Sequence, residues 1–154
     1  MIKIKPSPTA DTRTCDVRKV SEDQLYESSV QHINDVREGL KFFQEWLYSI
    51  GTLHDYDKLT NIQQFYSDFQ TEFKEHSWWD NHRKVNRHHL NSIDGIPENI
   101  NLLDVLEYIT DCVMAGMARS GSVYDIRIKA DVLMKAFDNT VELLKKNVEV
   151  IDEE

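Results

Sequence analysis

The sequence predicts an all-α protein, a compact single-domain helical bundle with about five main helices. Apolar residues recur at spacings of three and four through most of the chain, which is the period of amphipathic helices. The 154 residues include only three prolines and five glycines, too few for a fold with many turns. This length suits one domain. We expect an extended N-terminal arm over residues 1–20, the helical domain over 21–150 and an acidic tail over 151–154.

The charge balance limits the partners that the protein can have. Twenty-seven acidic and 18 basic side chains give a formal net charge of −9. Such a surface repels polyanions, so we expect neither duplex nucleic acid nor an anionic membrane as a partner. A small anionic substrate is still compatible with this charge, because local groups and bound cations set the charge of a cleft. A homodimer is left open.

The same composition points to a reducing compartment. The two cysteines do not make a disulfide framework, and no secretory leader or membrane-spanning run is visible. We therefore expect a cytoplasmic protein, located in the host cytoplasm if a phage encodes it.

The first predicted helix runs from Ser21 to Gly51. Ser21 and Gln24 fit the two ends of a capping box, and Gly51 fits a C-terminal cap. His32 borders the apolar stripe of this helix and should point to the interior or its rim. Taken alone, such a histidine is more often a hydrogen-bonded core residue than a ligand. The stripe that should face the interior comprises Leu25, Ile33, Val36, Leu40, Phe43, Leu47 and Ile50.

The middle of the chain contains two further helical segments. One is predicted over Thr60–Lys74 and the other over Asp80–His89, preceded by Trp78 and Trp79, which we expect in the core. If the second segment is helical throughout, His82 and His89 share a face with Asn86, and His88 points away from it unless the helix has already ended.

The last two helices follow a predicted loop over 91–99. Asn101 and Asp104 cap a helix that extends to about Arg119, and a final helix begins at Ser122. On the first of these helices, Glu107 and Asp111 lie one turn apart and share a face. Asp111 lies in a largely apolar stretch, where an unpaired carboxylate would be costly.

Histidines and carboxylates occur along the chain in an order typical of a metal site. Imidazole and carboxylate ligands without cysteine suit one or two divalent ions, namely Mn, Fe, Co, Ni or a catalytic Zn, with water completing the shell. Asp55 would bridge from the first ion to a second. The first ion would be held by His32, His54, Asp55 and Asp111, and the second by Asp55, His82 and either His88 or His89.

This order resembles the signature of the HD-domain superfamily, all-helical metal-dependent phosphohydrolases. His54-Asp55-Tyr56-Asp57-Lys58 is similar to the HDxGK form of binuclear members, although Asp57 stands where they have glycine. The resemblance implies that Lys58 reaches a substrate phosphate. The chain also resembles small HD-like proteins of phages and bacteria, which implies that Asn86 and Glu107 belong to the site.

These observations predict a metal-dependent phosphohydrolase that acts on a small phosphorylated compound, with a nucleotide favoured. The catalytic candidates are Asp55, Lys58 and Glu107, and the substrate-binding candidates are Lys58, Arg83, Asn86 and Arg87. The basic cluster around Arg83 is equally compatible with a solvated helix face. Two alternatives stay open, a di-iron HD-type oxygenase and a non-catalytic metal-containing protein that binds a host factor.

Overall fold

The computed structural model describes residues 1–75, 77–90 and 96–151. These residues are mostly helical, which confirms the all-α prediction, and five of their helices are nine residues or longer. The elements in chain order are β1 (Ile2–Ile4), α1 (Glu22–Leu53), α2 (Tyr56–Thr60), α3 (Ile62–Gln70), α4 (Ser77–Val85), α5 (Leu102–Ser120), α6 (Ala130–Lys146) and β2 (Val148–Val150), with short 3₁₀ turns at Pro8–Ala10 and Val17–Lys19. The chain divides into two compact units, one formed by residues 1–45 with the chain from 142 onward, the other by residues 46–141.

The first unit contains a small parallel sheet that the sequence did not predict. β1 pairs with β2, with Ile2 opposite Val148 and Ile4 opposite Val150. The predicted extended arm over residues 1–20 therefore begins with a strand, whose partner lies near the other end of the described chain. Residues 152–154 of the predicted acidic tail lie outside the described residues.

The start of α1 follows the prediction, whereas its end does not. The Ser21 Oγ accepts a hydrogen bond from the backbone N–H of Gln24 at 3.2 Å, and the Gln24 side chain accepts one from the backbone N–H of Ser21 at 3.0 Å. This confirms the capping box. The helix continues through Gly51 to Leu53, and the chain turns instead at Asp55, whose φ is 53°.

The core of the second unit lies between α5 and α6. Its buried residues are Leu90, Ile100, Val105, Tyr108 and Ala136. At the predicted start of α5, Asn101 Oδ1 accepts hydrogen bonds from the backbone N–H groups of Leu103 and Asp104, and Asp104 accepts one from the backbone of Asn101 at 2.8 Å. The helix start predicted from these two residues is confirmed, and the capping box sets the residue at which α5 begins.

Three other helix predictions need correction. The segment predicted as one helix over Thr60–Lys74 forms parts of α2 and α3, and α4 ends at Val85 instead of continuing to His89. The last helix begins at Ala130 and not at Ser122, because residues 122–124 run close to α5. A Cβ on Gly116 would lie 2.5 Å from the carbonyl oxygen of Ser122. Of the predicted loop over 91–99, residues 91–95 lie outside the described residues and 96–99 form no helix.

Candidate metal centre

Three segments of the second unit bring the candidate ligands together. His54 and Asp55 lie in the turn after α1, where Asp55 adopts the left-handed backbone conformation that few residues other than glycine, asparagine and aspartate accept. His82 lies near the end of α4, and His88 and His89 lie in the turn that follows it. Because α4 ends at Val85, the two adjacent histidines need not follow the helical period. Each of them can therefore reach a different group of ligands.

The first group consists of His54, Asp55 and His88. One ligating atom from each residue lies within 4.8 Å of the others. The Nε2 atom of His54 is 3.5 Å from Asp55 Oδ2, and the Nε2 atom of His88 is 3.5 Å from Asp55 Oδ1. Asp111 lies beside this group, because its carboxylate oxygens are 3.7 Å from His54 Nε2 and 3.9 Å from His88 Nε2.

The second group consists of Asp55, His82 and His89, whose ligating atoms also lie within 4.8 Å of one another. The Nε2 atoms of His82 and His89 are 2.9 Å apart, and His82 Nε2 is 3.4 Å from Asp55 Oδ1. Two ring nitrogens that face each other and a carboxylate oxygen form a donor set that suits a divalent transition metal.

Asp55 is common to both groups, and its surroundings fit a cation. Its side chain is 13% exposed, and its buried Oδ1 has no hydrogen-bond partner among the described residues. The Nε2 atom of His88 is likewise buried without such a partner. Because an unsatisfied buried polar atom is costly, these two atoms indicate that a ligand belongs between them. The described residues can thus hold a metal ion.

Glu107 lies behind the first group, where it hydrogen-bonds His54 and lies close to His88. Its Oε1 is 2.9 Å from His54 Nδ1 and 3.0 Å from His88 Nδ1. Burial opposes ionisation of Glu107, but the two imidazoles outweigh that effect and lower its pKa to about 2. A carboxylate at Nδ1 fixes the ring and leaves Nε2 to face the ion, an arrangement common around metal-bound histidines.

Asp57 has the same relation to the second group, and the sequence analysis did not identify it. Its carboxylate lies 2.9 Å from His82 Nδ1 and accepts a hydrogen bond from the Asn86 side chain at 2.9 Å. Desolvation raises the pKa of Asp57, but Asn86 and His82 outweigh it, so the pKa is lowered overall. The residue was noted only as a departure from glycine. A carboxylate two positions after His-Asp, with a histidine further along, was the signal that could have identified it.

Aromatic rings enclose His82. The rings of Trp78 and Trp79 stack on its imidazole with centroids 4.7 and 5.2 Å away. Asp68 accepts hydrogen bonds from the backbone N–H groups of both tryptophans at 3.0 Å, which holds the start of α4 in place. Trp78 and His82 are buried. The prediction that both tryptophans lie in the core is confirmed for Trp78, whereas Trp79 is only half-buried. Their packing leaves His82 little rotational freedom.

The histidines differ in how readily they take up a proton. The carboxylates of Asp111 and Glu107 raise the pKa of His54 to about 10. Burial, together with the neighbouring imidazoles of His88 and His82, lowers the pKa of His89 to about 4. Burial also lowers the pKa of His82, against the opposing effect of Asp57. The two histidines of the second group are therefore neutral near pH 7 and ready to donate electron pairs, whereas the first group must lose a proton from His54 before it binds an ion.

Of the remaining predicted site residues, Lys58 and Arg83 lie beside the two groups of ligands, whereas Arg87 is paired with Asp104 at the start of α5. The ammonium group of Lys58 contacts Asp55 Oδ2 directly, and Arg83 lines a cavity of about 340 Å³ together with His88, His89 and Asp111. Arg87 binds Asp104 through Nε at 2.7 Å and Nη2 at 2.8 Å, and it also donates to the side chain and backbone of Asn99.

His32 is exposed on the part of α1 that belongs to the first unit. Within that unit it does not face the interior, whereas the prediction placed it at the interior or its rim. Among the described residues, neither group of ligating atoms includes it. Its role as a ligand stays a prediction.

Comparisons with protein-family models, with curated proteins and with solved structures gave no match to this chain. The chemistry of the site therefore has to be argued from its own residues. Within the described part of the chain, no helix has both the length and the apolar composition to cross a bilayer. Both cysteines are free thiols.

Proposed function

We propose that this protein is a metal-dependent phosphohydrolase that uses two divalent ions and acts on a small phosphorylated compound, with a nucleotide favoured. The observation that carries the proposal is the position of Asp55. Its Oδ1 lies 3.4 Å from His82 Nε2 and 3.5 Å from His88 Nε2, and its Oδ2 lies 3.5 Å from His54 Nε2. One carboxylate between two sets of imidazoles suits a pair of ions. Such a pair, when bound, activates a water molecule and stabilises charge on phosphoryl oxygens.

The residues around the ions have separate tasks in this proposal. Glu107 holds the ring of His54 and lies beside His88, and Asp57 holds the ring of His82, so that the Nε2 atoms of His54 and His82 keep a fixed geometry. Asp111 completes the first group. The arrangement is pre-formed, which reduces the reorganisation that the reaction would require.

Positive charge near the groups favours an anionic substrate. Lys58 contacts Asp55, and its side chain is 28% exposed, so its ammonium can exchange the carboxylate for a phosphate oxygen once cations occupy the groups. Arg83 lines the cavity into which His88 and His89 face. In a protein of net charge −9, these two cations would draw a phosphate toward the two groups of ligands.

The experiment that tests the proposal is phosphate release from a panel of nucleotides and simpler phosphate esters, with Mn²⁺ or Co²⁺ added to the purified protein. Lys58→Ala should keep the metal content and lower kcat by about 10²–10³-fold, as loss of one charged donor to a transition state does. Lys58→Arg should restore only part of the rate, because a planar guanidinium differs in shape from an ammonium.

Lys74→Ala is the matched control, because Lys74 is 77% exposed and pairs only with exposed Glu72 among the described contacts. Its kcat should equal that of the wild type. Absence of phosphate release from every ester by the metal-loaded protein would contradict the proposal. Oxygen consumption by the iron-loaded protein would point instead to the di-iron oxygenase.

A further inference from the structure

A further cavity lies beside the first group of ligands, between the end of α1 and the middle of α5. Its volume is about 340 Å³. Three of the residues that line it, His54, Glu107 and Asp111, also belong to the candidate metal centre. Every residue of its lining lies between positions 46 and 141, so the second unit alone forms it. The cavity is therefore continuous with the site where the proposed reaction would take place.

The other walls of this cavity carry hydrocarbon side chains, and we call it the apolar cavity. Leu47 and Ile50 line it from α1, and Leu106 and Met114 line it from α5. Leu47, Leu106 and Met114 are 38–65% exposed. Because water solvates such surface poorly, a ligand that covers these side chains is stabilised. The flexible thioether of Met114 can adapt its shape to such a ligand.

The polar groups in the apolar cavity already have partners in the described part of the chain. The Thr110 hydroxyl donates a hydrogen bond to the carbonyl oxygen of Leu106 at 2.8 Å, and Glu107 Oε1 is 2.9 Å from His54 Nδ1. A sugar or a nucleobase would lose hydrogen bonds to water here without replacing them, which is costly. A hydrocarbon group has none to lose. The apolar cavity therefore suits a hydrocarbon group better than it suits the body of a nucleotide.

Asp111 lines both the apolar cavity and the cavity that contains Arg83, His88 and His89. A phosphate ester with its phosphate near Arg83 and the ligand groups can therefore extend its alcohol part into the apolar cavity. We infer that the substrate of this site is a phosphate monoester of an apolar alcohol, whose hydrocarbon part the apolar cavity binds. Hydrolysis would break the P–O bond to the alcohol, with the oxygen of water going to phosphorus and a proton of water to the alcohol. The inference rests on the proposed function and narrows its substrate, with a nucleotide as the competing candidate.

The experiment compares hexyl phosphate with methyl phosphate, because their alcohols are equally poor leaving groups and differ only in apolar length. With the Mn²⁺-loaded protein, kcat/KM should be at least about tenfold higher for hexyl phosphate, since each buried methylene is worth roughly a fourfold gain. The gain should appear in KM. Uridine 5′-monophosphate should have a lower kcat/KM than hexyl phosphate. Titration calorimetry gives a readout without turnover, in which hexylphosphonate should bind at least about tenfold more tightly than methylphosphonate.

Gly51 provides the variant that fills the apolar cavity. It lines the cavity, and a Cβ added to it meets no heavy atom within 4 Å. Gly51→Leu should therefore fold, and it should reduce the preference for hexylphosphonate over methylphosphonate to less than about twofold. Thr52→Leu is the matched control, because it adds the same side chain at the next position, which is exposed and outside the lining. It should keep the wild-type preference.

Met114→Gln is a second test that does not depend on Gly51, because it places a polar side chain of similar length in the lining at an exposed position. It should reduce the preference as well. Equal kcat/KM for hexyl and methyl phosphate would overturn the inference and leave the proposed function standing, and so would a higher value for uridine 5′-monophosphate. An unchanged preference in Met114→Gln and in a folded Gly51→Leu would also overturn it. A protein that hydrolyses no ester and binds neither phosphonate would overturn both proposals.

Discussion

The candidate metal centre and the apolar side of α1 depart in opposite ways from the usual rule that polar groups are exposed and apolar groups are buried. We call this side of the helix the outer face; it carries Leu25, Tyr26, Val30, Ile33, Val36 and Leu40. At the metal centre the chain buries groups that can carry charge, with His82 0% and His88 1% exposed. On the outer face it exposes groups that water solvates poorly, with Tyr26 70% and Leu40 64% exposed. Both arrangements cost free energy in an isolated chain.

The two regions differ in how strictly each fixes the geometry of whatever would bind there. Buried ligating atoms that face one another suit an ion at a defined position, because only a few geometries satisfy them. An exposed apolar stripe is satisfied by any apolar surface of matching shape, since the hydrophobic effect has no direction. The first region can therefore accept a small, specific ligand, whereas the second sets no such geometric condition. Changes at one region should leave the other intact, and this independence can be measured.

The largest effect is expected from Asp55→Asn, which tests the metal centre. Asparagine accepts the left-handed backbone of this position but lacks the charge that the two groups share. If ions bind the folded state alone, a metal concentration 100 times the Kd adds about 2.7 kcal/mol of stability. Chelator should therefore lower the Tm of the wild type by roughly 5–10 °C. Asp55→Asn should purify with little metal, and its Tm should not respond to chelator.

Asp125→Asn serves as its control, because that carboxylate is 72% exposed and pairs with exposed Arg127. It should retain the metal and the chelator response. Elemental analysis that finds metal bound to Asp55→Asn at the wild-type ratio would contradict the shared role of this carboxylate.

Local signals made much of the fold predictable. The capping boxes at Ser21 and Asn101 depend on residues three positions apart, and both form as the sequence predicted. Such features require only short-range contacts, which a sequence pattern records directly.

Long-range and subtle features were not predictable in this way. The pairing of β1 with β2 joins the two ends of the chain, and no local pattern encodes it. The early end of α4 at Val85 decides which group His88 and His89 each join. For α1, the stripe was predicted to face the interior, but Leu25, Ile33 and Leu40 are half exposed or more. Periodicity marks an apolar stripe and does not say what covers it.

The second prediction concerns a buried carboxylate whose partner is part of the protein. Asp104 is 1% exposed and accepts two hydrogen bonds from Arg87. Arg87→Met should leave that charge without its cation and lower the free energy of unfolding by about 2–3 kcal/mol, somewhat less than for a fully buried pair because the Arg87 side chain is 38% exposed. Urea denaturation would measure the change.

Arg127→Met is the comparison for this effect, since it breaks an ion pair whose members are 85% and 72% exposed. Its unfolding midpoint should equal that of the wild type. The Arg87 variant should keep its metal. If Arg87→Met unfolds at the wild-type midpoint but binds phosphate esters more weakly, the guanidinium contacts substrate instead of holding the start of α5.

The smallest effect is expected from protons at His54, and it separates the two metal groups. The carboxylates of Asp111 and Glu107 raise the pKa of His54 to about 10, so its ring is charged at pH 7.5 in the metal-free protein. An ion at Nε2 requires a neutral ring, and occupation of the first group should release about one proton. The second group should release almost none, because burial lowers the pKa of His89 to about 4. The apparent metal affinity of the first group should thus increase with pH up to about 10, whereas that of the second group should not change with pH above neutrality.

Titration calorimetry in buffers of different ionisation enthalpy measures the protons released at each step. Glu107→Gln removes one of the two carboxylates at the His54 ring, and it should reduce the release from the first group alone. If both groups released the same number of protons, the first ion would not be displacing a proton from His54.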